Sequence, residues 1–259
     1  DPERDRVVRA FQLANLAMLM QMRHSRRDFA GSRHERNESR TVKVEYVTGP
    51  SWRPFQLGFF LVTLRGLVDL HHTDRTTVDL IWFPTGGGKT EAYLLVAAFE
   101  IFLRRLRFGK EGGGTAVVSR YTLSLLTAQQ FQRTGTTVAA CEILRRSHAT
   151  ELGESPISLG LWVGDTTTPN RFSKAKEKFE ELRQADETDD RFLLDRCPWC
   201  GTEIVPRKYS TSDDDYGIVA NDVEFRFNCP LSSCPFNQYL PIHVVDEDIY
   251  ENPPTFLLG

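Results

Sequence analysis

The feature that most constrains the fold of this chain is a glycine-rich turn between two patterned segments. Residues 78–83 (VDLIWF) form an apolar run with a single aspartate, which predicts a buried strand of a parallel sheet. The turn at residues 84–90 (PTGGGKT) follows directly, and a helical pattern then continues to about Arg107. A strand, a glycine-rich turn and a helix in this order predict a phosphate-binding loop at the N-terminus of that helix.

Each residue type in the turn has a chemical role toward a nucleotide. Glycines let backbone N–H groups surround phosphate oxygens, Lys89 reaches the β- and γ-phosphates, and the Thr90 hydroxyl binds Mg²⁺. Many loops of this kind have glycine six residues before the lysine, where this chain has Phe83. We expect Lys89 and Thr90 to serve catalysis, and we expect the turn to bind ATP through Thr85, Gly86, Gly87, Gly88, Lys89 and Thr90.

Strand and helix patterns continue to alternate after the turn. This alternation predicts an α/β fold with a parallel sheet, helices on both faces and right-handed crossovers. Apolar segments predict strands at 115–119, 157–163, 242–245 and 255–258, separated by helical patterns at about 122–147 and 171–184. Upstream of the turn, the patterns predict an amphipathic helix at 5–22, a polar loop at 24–40, a short strand at 42–46 and a helix from 52 to about 70.

Four of the five cysteines form two closely spaced pairs, Cys197 with Cys200 and Cys229 with Cys234. A short spacing lets one turn present two thiolates to one metal ion, and four sulfurs in a tetrahedral arrangement favour a closed structural Zn²⁺ site. We therefore predict a zinc site formed by these four residues, with disulfide bonds as the alternative. The fifth, Cys141, falls in a predicted helix and is expected to be a buried apolar residue.

The chain of 259 residues divides into segments of different character. The composition is 40% hydrophobic and 26% charged with a net charge of −3, which argues against a disordered chain, a collagen and a disulfide scaffold. No apolar run is long enough to span a bilayer. We expect an N-terminal helical segment and loop at 1–50, an α/β lobe at 51–196, an inserted four-cysteine module at 197–237 and a return to the lobe at 238–259. Because the chain lacks an initiator methionine and stops abruptly at Gly259, we also expect a longer parent protein.

Several segments together resemble a known family. The turn has the form Thr-Gly-x-Gly-Lys-Thr after a proline, which resembles the loop of superfamily 2 helicases. The chain from Trp52 to Gly259 resembles the DrmA family, the helicase-like subunits of bacterial DISARM anti-phage systems, in residues 52–56, 83–93, 120–133, 162–170 and 245–250. The resemblance implies a cytoplasmic ATP-dependent DNA helicase or translocase with a RecA-like first motor lobe. It also implies a DrmB-type partner subunit and a DNA methyltransferase in the same system.

The resemblance assigns roles to residues outside the turn. Gln56 resembles the upstream glutamine whose amide reads the edge of adenine; the alternative is a glutamine on a helix surface. After the second predicted strand, four residues resemble a motif that contacts the nucleic-acid backbone without reading the base sequence. A threonine after the third predicted strand would add a hydroxyl group to the same contact surface. These residues are Arg120, Tyr121, Thr122, Gln129 and Thr168. For the first four, the alternative is an ordinary strand-to-helix loop.

Two questions stay open at the level of sequence. Asp246 and Glu247 match the carboxylates that hold Mg²⁺ and orient the attacking water, yet the segment 254–259 resembles the strand that precedes those carboxylates in superfamily 2 helicases. On the second reading the hydrolytic pair and a second motor lobe lie beyond Gly259, and this chain alone is not expected to hydrolyse ATP. The alternative to a motor is a zinc-stabilised nucleic-acid-binding or scaffold module with an ATP-driven switch and no translocation.

Overall fold

A computed structural model describes residues 1–25, 51–82, 88–121, 128–164, 167–185, 192, 194–206 and 209–259. The helices are α1 (Pro2–Ser25), α2 (Pro54–Val68), α3 (Lys89–Phe108), α4 (Ala128–Ser147), α5 (Ala149–Leu152), α6 (Phe172–Gln184) and α7 (Asp246–Glu251). The strands are β1 (Val117–Ser119), β2 (Leu159–Leu161), β3 (Ile218–Ala220), β4 (Phe225–Phe227), β5 (Ile242–His243) and β6 (Phe256–Leu258). The predicted strand at 42–46 and nearly all of the predicted loop at 24–40 lie outside the described residues.

A four-stranded parallel sheet with the order β1-β6-β2-β5 lies among the helices, which confirms the predicted α/β class. Phe256 is the central partner, because it lies opposite Val117 on one side and Leu159 on the other. All four strands run in one direction, so their carboxyl ends share one edge of the sheet. The residues at those ends are thereby brought together, although they are far apart in the chain.

The helices form a packed layer against the sheet. One stripe of α1 is buried at helical spacing, and it packs against both α3 and α4. Its buried residues are Ala10, Leu13, Ala14, Ala17 and Met18. The α2 helix packs on α3, where the rings of Phe60 and Phe99 meet edge to face at 5.1 Å. None of the helices in the described ranges is both long enough and apolar enough to cross a membrane.

The predicted strand before the glycine-rich turn is absent from residues 78–82, so this prediction was wrong for the part of it that the structure describes. Three of the four large apolar side chains of the segment are strongly exposed: Val78 at 93%, Leu80 at 82% and Trp82 at 86%. A β-prone pattern forms a strand only where a neighbouring backbone offers hydrogen bonds. These residues do not pair with the sheet, so no backbone hydrogen bonds stabilise them as a strand.

A buried ion cluster joins α4 to the start of β2. The Glu142 carboxylate is 2.7 Å from Arg145 Nε and 2.8 Å from Arg146 Nε, and it accepts the backbone N–H of Ile157 at 2.9 Å. Arg145 also donates to the carbonyl of Gly153 at 2.9 Å. Because both Glu142 and Arg145 are buried, each charge depends on the other for solvation that water no longer supplies.

Replacing Glu142 with alanine should therefore lower the free energy of unfolding by about 3–5 kcal/mol, because a buried guanidinium would lose its counter-ion. Denaturant unfolding of the two proteins measures the difference. The matched control is Glu177→Ala, which removes an equivalent helical ion pair with Lys174 from an exposed surface and should leave the midpoint almost unchanged. Equal midpoints for Glu142→Ala and the native protein would contradict a structural role for the cluster.

Candidate functional site

The glycine-rich turn meets α3 at Gly88, which has a left-handed backbone with φ of +84°. A Cβ atom built at this position would lie 2.7 Å from the Nε2 atom of Gln56. Glycine is therefore favoured here by the backbone conformation, and a larger residue would also displace the side chain of Gln56. Lys89 and Thr90 form the first turn of α3, as predicted. Thr85, Gly86 and Gly87 lie outside the described residues.

Gln56 lies against the end of the turn. Its side chain is only 5% exposed, its Oε1 accepts the backbone N–H of Arg53 at 2.8 Å, and its Nε2 donates to the carbonyl of Gly88 at 2.7 Å. The sequence places Gln56 at this point because Pro54 starts α2 and leaves Gln56 in its first turn. The structure thus brings Gln56 and the turn together, while recognition of adenine by Gln56 stays a prediction.

Three hydroxyl groups connect the start of α3 to the end of β1. Tyr93 donates from its phenol to Thr90 Oγ1 at 3.1 Å, and the phenols of Tyr93 and Tyr121 are 2.9 Å apart. Burial, together with the hydrogen bond to Tyr93, raises the pKa of the Tyr121 phenol, so this phenol is neutral at physiological pH. A residue predicted to bind Mg²⁺ and a residue predicted to contact nucleic acid therefore share one hydrogen-bond chain.

A small cavity of about 380 Å³ lies at the carboxyl edge of the sheet, and its lining includes Arg120, Trp162 and Gly164. Backbone hydrogen bonds hold this edge together: Tyr121 N–H donates to the carbonyl of Gly259 at 2.7 Å, and Trp162 N–H donates to that of Leu258 at 2.8 Å. Trp162 is 55% exposed beside Arg120. Sequence reasoning assigned no role to Trp162, although an aromatic residue at the end of a parallel strand was a usable signal.

The other residues predicted to contact nucleic acid are less exposed or lie outside the described part. Thr168 is fully buried, and its hydroxyl lies 3.5 Å from the carbonyl of Gly164, so it supports the turn after β2. Thr122 lies outside the described residues, as does the side chain of Gln129 at the start of α4. Arg120 and Tyr121 are thus the two that the structure locates at the sheet edge.

Glu247 takes part in a structural contact. Its carboxylate accepts the backbone N–H of Phe172 at 3.0 Å, which is the first residue of α6. Backbone bonds from Asp246 to Pro169 and from Glu247 to Asn170 fix α7 against the same loop. A carboxylate at a helix N-terminus satisfies an otherwise unpaired N–H group and interacts favourably with the helix dipole. The contact favours the reading in which the hydrolytic carboxylates are other residues.

A larger cavity of about 640 Å³ contains none of the predicted site residues. It borders β5, at the opposite end of the sheet from β1, and its polar lining includes His243 and Asp248. His243 Nδ1 lies 2.6 Å from Asp248 Oδ2, and Asn252 donates to the other oxygen of this carboxylate at 3.0 Å. These contacts hold α7 to β5, and they satisfy both oxygens of the Asp248 carboxylate.

The four paired cysteines converge on one point. Their sulfur atoms all lie within 4.8 Å of one another, with 3.3 Å between Cys200 and Cys229 and 3.9 Å between Cys197 and Cys234. Zinc–sulfur bonds of about 2.3 Å in a tetrahedron require sulfur separations of roughly 3.8 Å, whereas a disulfide requires about 2.05 Å. The arrangement could hold a zinc ion, and the separations do not correspond to disulfide bonds.

The electrostatics of the tetrad also suit a cation. Burial raises the pKa of the Cys197 thiol, whereas hydrogen bonds from its sulfur neighbours, Cys197 first, lower the pKa of Cys200. Four thiols crowded in an apolar environment cannot all ionise without a positive charge at their centre. A divalent metal supplies that charge, so the residues present fit a structural zinc site.

Helices α1 and α4 contact the turn from Cys197 to Cys200, the first cysteine turn. The hydroxyl of Thr136 donates to the carbonyl of Pro198 at 3.0 Å, and the ring of His24 stacks on Trp199 at 3.6 Å. Gly201 has a φ of +75°, which closes the turn after Cys200. The cysteine side chains belong to the same buried cluster as the helical layer, so the tetrad stabilises the body of the fold as well as its own loop.

Comparison with known proteins identifies a curated relative that aligns over most of the chain. No family model matches the chain. The chain is 36% identical over 244 residues to the DISARM protein DrmA of Bacillus paralicheniformis, a match that covers 89% of this chain. It covers 21% of the relative, so the chain spans about a fifth of the length of the curated protein that it matches.

The tetrad predicts about one zinc ion per chain in protein purified without chelator. Cys197→Ser should abolish zinc binding and lower the melting temperature by roughly 10 °C, because structural zinc contributes directly to folding. Elemental analysis and thermal unfolding measure the two effects. The control is Cys141→Ser, which alters a buried cysteine of α4 outside the tetrad and should leave the zinc content unchanged. Native protein without zinc would contradict the assignment.

Proposed function

The chain is DrmA-like over 89% of its length, and on this premise we propose that it forms the RecA-like first motor lobe of an ATP-dependent DNA helicase or translocase in bacterial antiviral defence. The lobe comprises residues 51–196 and 238–259, and residues 197–237 form a zinc-stabilised insertion. The observation that carries the proposal is the junction at the sheet edge, where the first turn of α3 meets the end of β1 through Tyr93 and Tyr121.

At this junction, the first turn of α3 provides the nucleotide end. Lys89 neutralises charge on the β- and γ-phosphates, and Thr90 supplies a hydroxyl oxygen to Mg²⁺. The N-terminus of α3 adds the positive end of the helix dipole, and a helix of 20 residues presents it in full. Gln56, held beside Gly88, is the residue proposed to contact the base. Magnesium bound with the nucleotide supplies the charge that phosphate-bond cleavage requires.

The end of β1 provides the nucleic-acid end. Arg120 lies at the cavity on the sheet edge and is proposed to bind backbone phosphates, which contribute most of the sequence-independent affinity for DNA. Trp162 lies at the same cavity with more than half of its surface exposed, so a base of a single strand can stack on its ring. Together the two side chains favour an unpaired strand over a rigid duplex.

ATP hydrolysis is expected of the whole parent protein. The relative is about five times as long as the matched segment, and Glu247 of this chain is engaged at the start of α6. We propose that the hydrolytic carboxylates and a second motor lobe belong to other parts of that protein. By family resemblance, a DrmB-type subunit and a DNA methyltransferase act with it in the cytoplasm.

A second candidate function is an ATP-driven switch that holds DNA without moving along it. The hydrogen bonds that join Thr90 to Tyr121 fit this candidate as well, because they link the nucleotide helix to the end of β1 without requiring movement along DNA. The two functions differ in how ATP turnover depends on DNA length. A translocase hydrolyses more ATP per binding event on longer DNA, whereas turnover by a switch does not depend on DNA length.

The nucleotide site is tested by ATP turnover of the full-length parent protein with and without DNA. DNA should stimulate turnover, and Lys89→Ala should reduce the stimulated rate by at least about a hundredfold, because charge on the transferred phosphate loses a direct counter-ion. The control is Lys110→Ala in the turn Gly109–Gly112, an exposed lysine at the opposite end of α3. Equal rates for Lys89→Ala and the native protein would show that the turn is not the nucleotide site.

The nucleic-acid edge is tested by DNA binding at different salt concentrations. Raising salt from about 50 to about 200 mM should weaken binding roughly tenfold or more, and Arg120→Ala should reduce the slope of this dependence by about one. Trp162→Ala should weaken binding to single-stranded DNA by at least about fivefold without changing the slope. The control is Tyr250→Ala, which removes an exposed aromatic from α7. A flat salt titration would contradict backbone binding.

A further inference from the structure

Thr90, Tyr93 and Tyr121 form a continuous chain of hydroxyl groups. Tyr93 lies one helical turn after Thr90 on the same face of α3, so its phenol reaches back to the threonine hydroxyl at 3.1 Å. Tyr121 comes from the end of β1, directly after Arg120, and its phenol lies 2.9 Å from that of Tyr93. Two hydrogen bonds therefore connect the first turn of the nucleotide helix to the residue beside the proposed phosphate ligand.

From this chain of hydroxyl groups we infer that Tyr93 and Tyr121 are positioning residues. They couple nucleotide binding at Thr90 to the affinity of Arg120 for DNA. The inference rests on the proposed function and adds its internal regulation. Neither tyrosine needs to touch the nucleotide, because Tyr93 acts through Thr90 and Tyr121 acts through its neighbour Arg120.

The hydrogen bonds along the chain of hydroxyl groups can be donated in either of two directions. Each phenol has one hydrogen, so when Tyr93 donates to Thr90, Tyr121 must donate to Tyr93. A threonine that coordinates a metal is a poorer acceptor and a better donor, so Thr90 then donates to Tyr93, and Tyr93 donates to Tyr121. The change needs only rotation of three hydroxyl groups, and no proton leaves its oxygen. Two discrete arrangements are the property that lets one site influence another.

The surroundings of the two phenols favour strong hydrogen bonds along this chain of hydroxyl groups. A cavity of about 520 Å³ lies beside them, and its apolar lining includes Leu67, Val96 and Val117. Hydrogen bonds are stronger in an apolar environment than in water, and they polarise one another along a chain. The same burial keeps Tyr121 protonated, as its raised pKa indicates. The phenol of Tyr121 is thus neutral, and the chain of hydroxyl groups is partly shielded from competing water.

Two other contacts limit how the strand end can respond. Tyr121 N–H donates to the carbonyl of Gly259, which ties its backbone to β6, so a change at the phenol acts on the side chains at the strand end. Glu91, in the same turn of α3 as Thr90, lies 3.3 Å from Arg133 of α4. The first turn of α3 is therefore held to the element that follows the strand end as well as to the strand itself.

The experiment measures coupling in the full-length parent protein. The affinity for a fluorescent single-stranded oligonucleotide is determined with and without Mg²⁺ and a non-hydrolysable ATP analogue, and the ratio of the two affinities is the coupling factor. Tyr93→Phe retains the ring and removes the hydroxyl, so it should bring the coupling factor about three- to tenfold closer to one. Tyr121→Phe should have the same effect, and the double variant should add little to either single variant.

The matched control is Tyr216→Phe, which removes a buried phenol hydroxyl that is hydrogen-bonded to Ser210 in the cysteine region. It should leave the coupling factor unchanged. A purely structural role of Tyr93 would change both affinities alike and leave their ratio at the native value, which would overturn the inference. Tyr121→Phe keeps the test decisive if Tyr93→Phe does not fold, as thermal unfolding would show.

The outcomes also separate this inference from the function on which it rests. Native protein that binds neither the analogue nor the oligonucleotide contradicts the proposed function itself. Native protein that binds both with a coupling factor of one retains the two sites and overturns the coupling. Native coupling that persists in both phenylalanine variants overturns the role of the two tyrosines alone, whereas loss of coupling in both supports it.

Discussion

The position of the first turn of α3 is the constraint on which the candidate site depends. Gln56 holds the carbonyl of Gly88 from one side, and Tyr93 joins the Thr90 hydroxyl to the end of β1 on the other. A helix N-terminus is useful to an anion only when its N–H groups are oriented in advance. Partly buried hydrogen bonds achieve this here at low entropic cost, because α2 and α3 are already packed together.

The cysteine tetrad extends the same helical layer. Helix α4 contacts the first cysteine turn through Thr136 and Pro198, and it contains the buried pair Glu142 and Arg145 near its other end. The residues of the tetrad share one apolar cluster with the helices, so loss of the metal would disturb more than a surface loop. A zinc ion held by the four cysteines would therefore contribute to the stability of the fold and take no part in chemistry.

Sequence patterns predicted most elements, and the exceptions have physical reasons. The run at 78–82 has strand-forming residues but stays unpaired, because a strand depends on a neighbour that no local pattern specifies. Thr168 was expected among the nucleic-acid contacts, but it is fully buried. Trp162 received no role, since exposure of a side chain at a strand end depends on which strands flank it. The four cysteines were predicted as a set because their spacing alone restricts their geometry.

The sequence by itself determined the alternation of strands and helices, the glycine-rich turn before α3 and the two closely spaced pairs of cysteines. Each of these follows from local chemistry, namely side-chain period, backbone conformation and ligand spacing. Only the tertiary structure decided that β6 lies between β1 and β2 and that Tyr93 meets Tyr121. Sheet order and contacts between distant residues arise from packing of the whole chain, because hydrophobic burial is non-directional and leaves the choice of partner to the complete core.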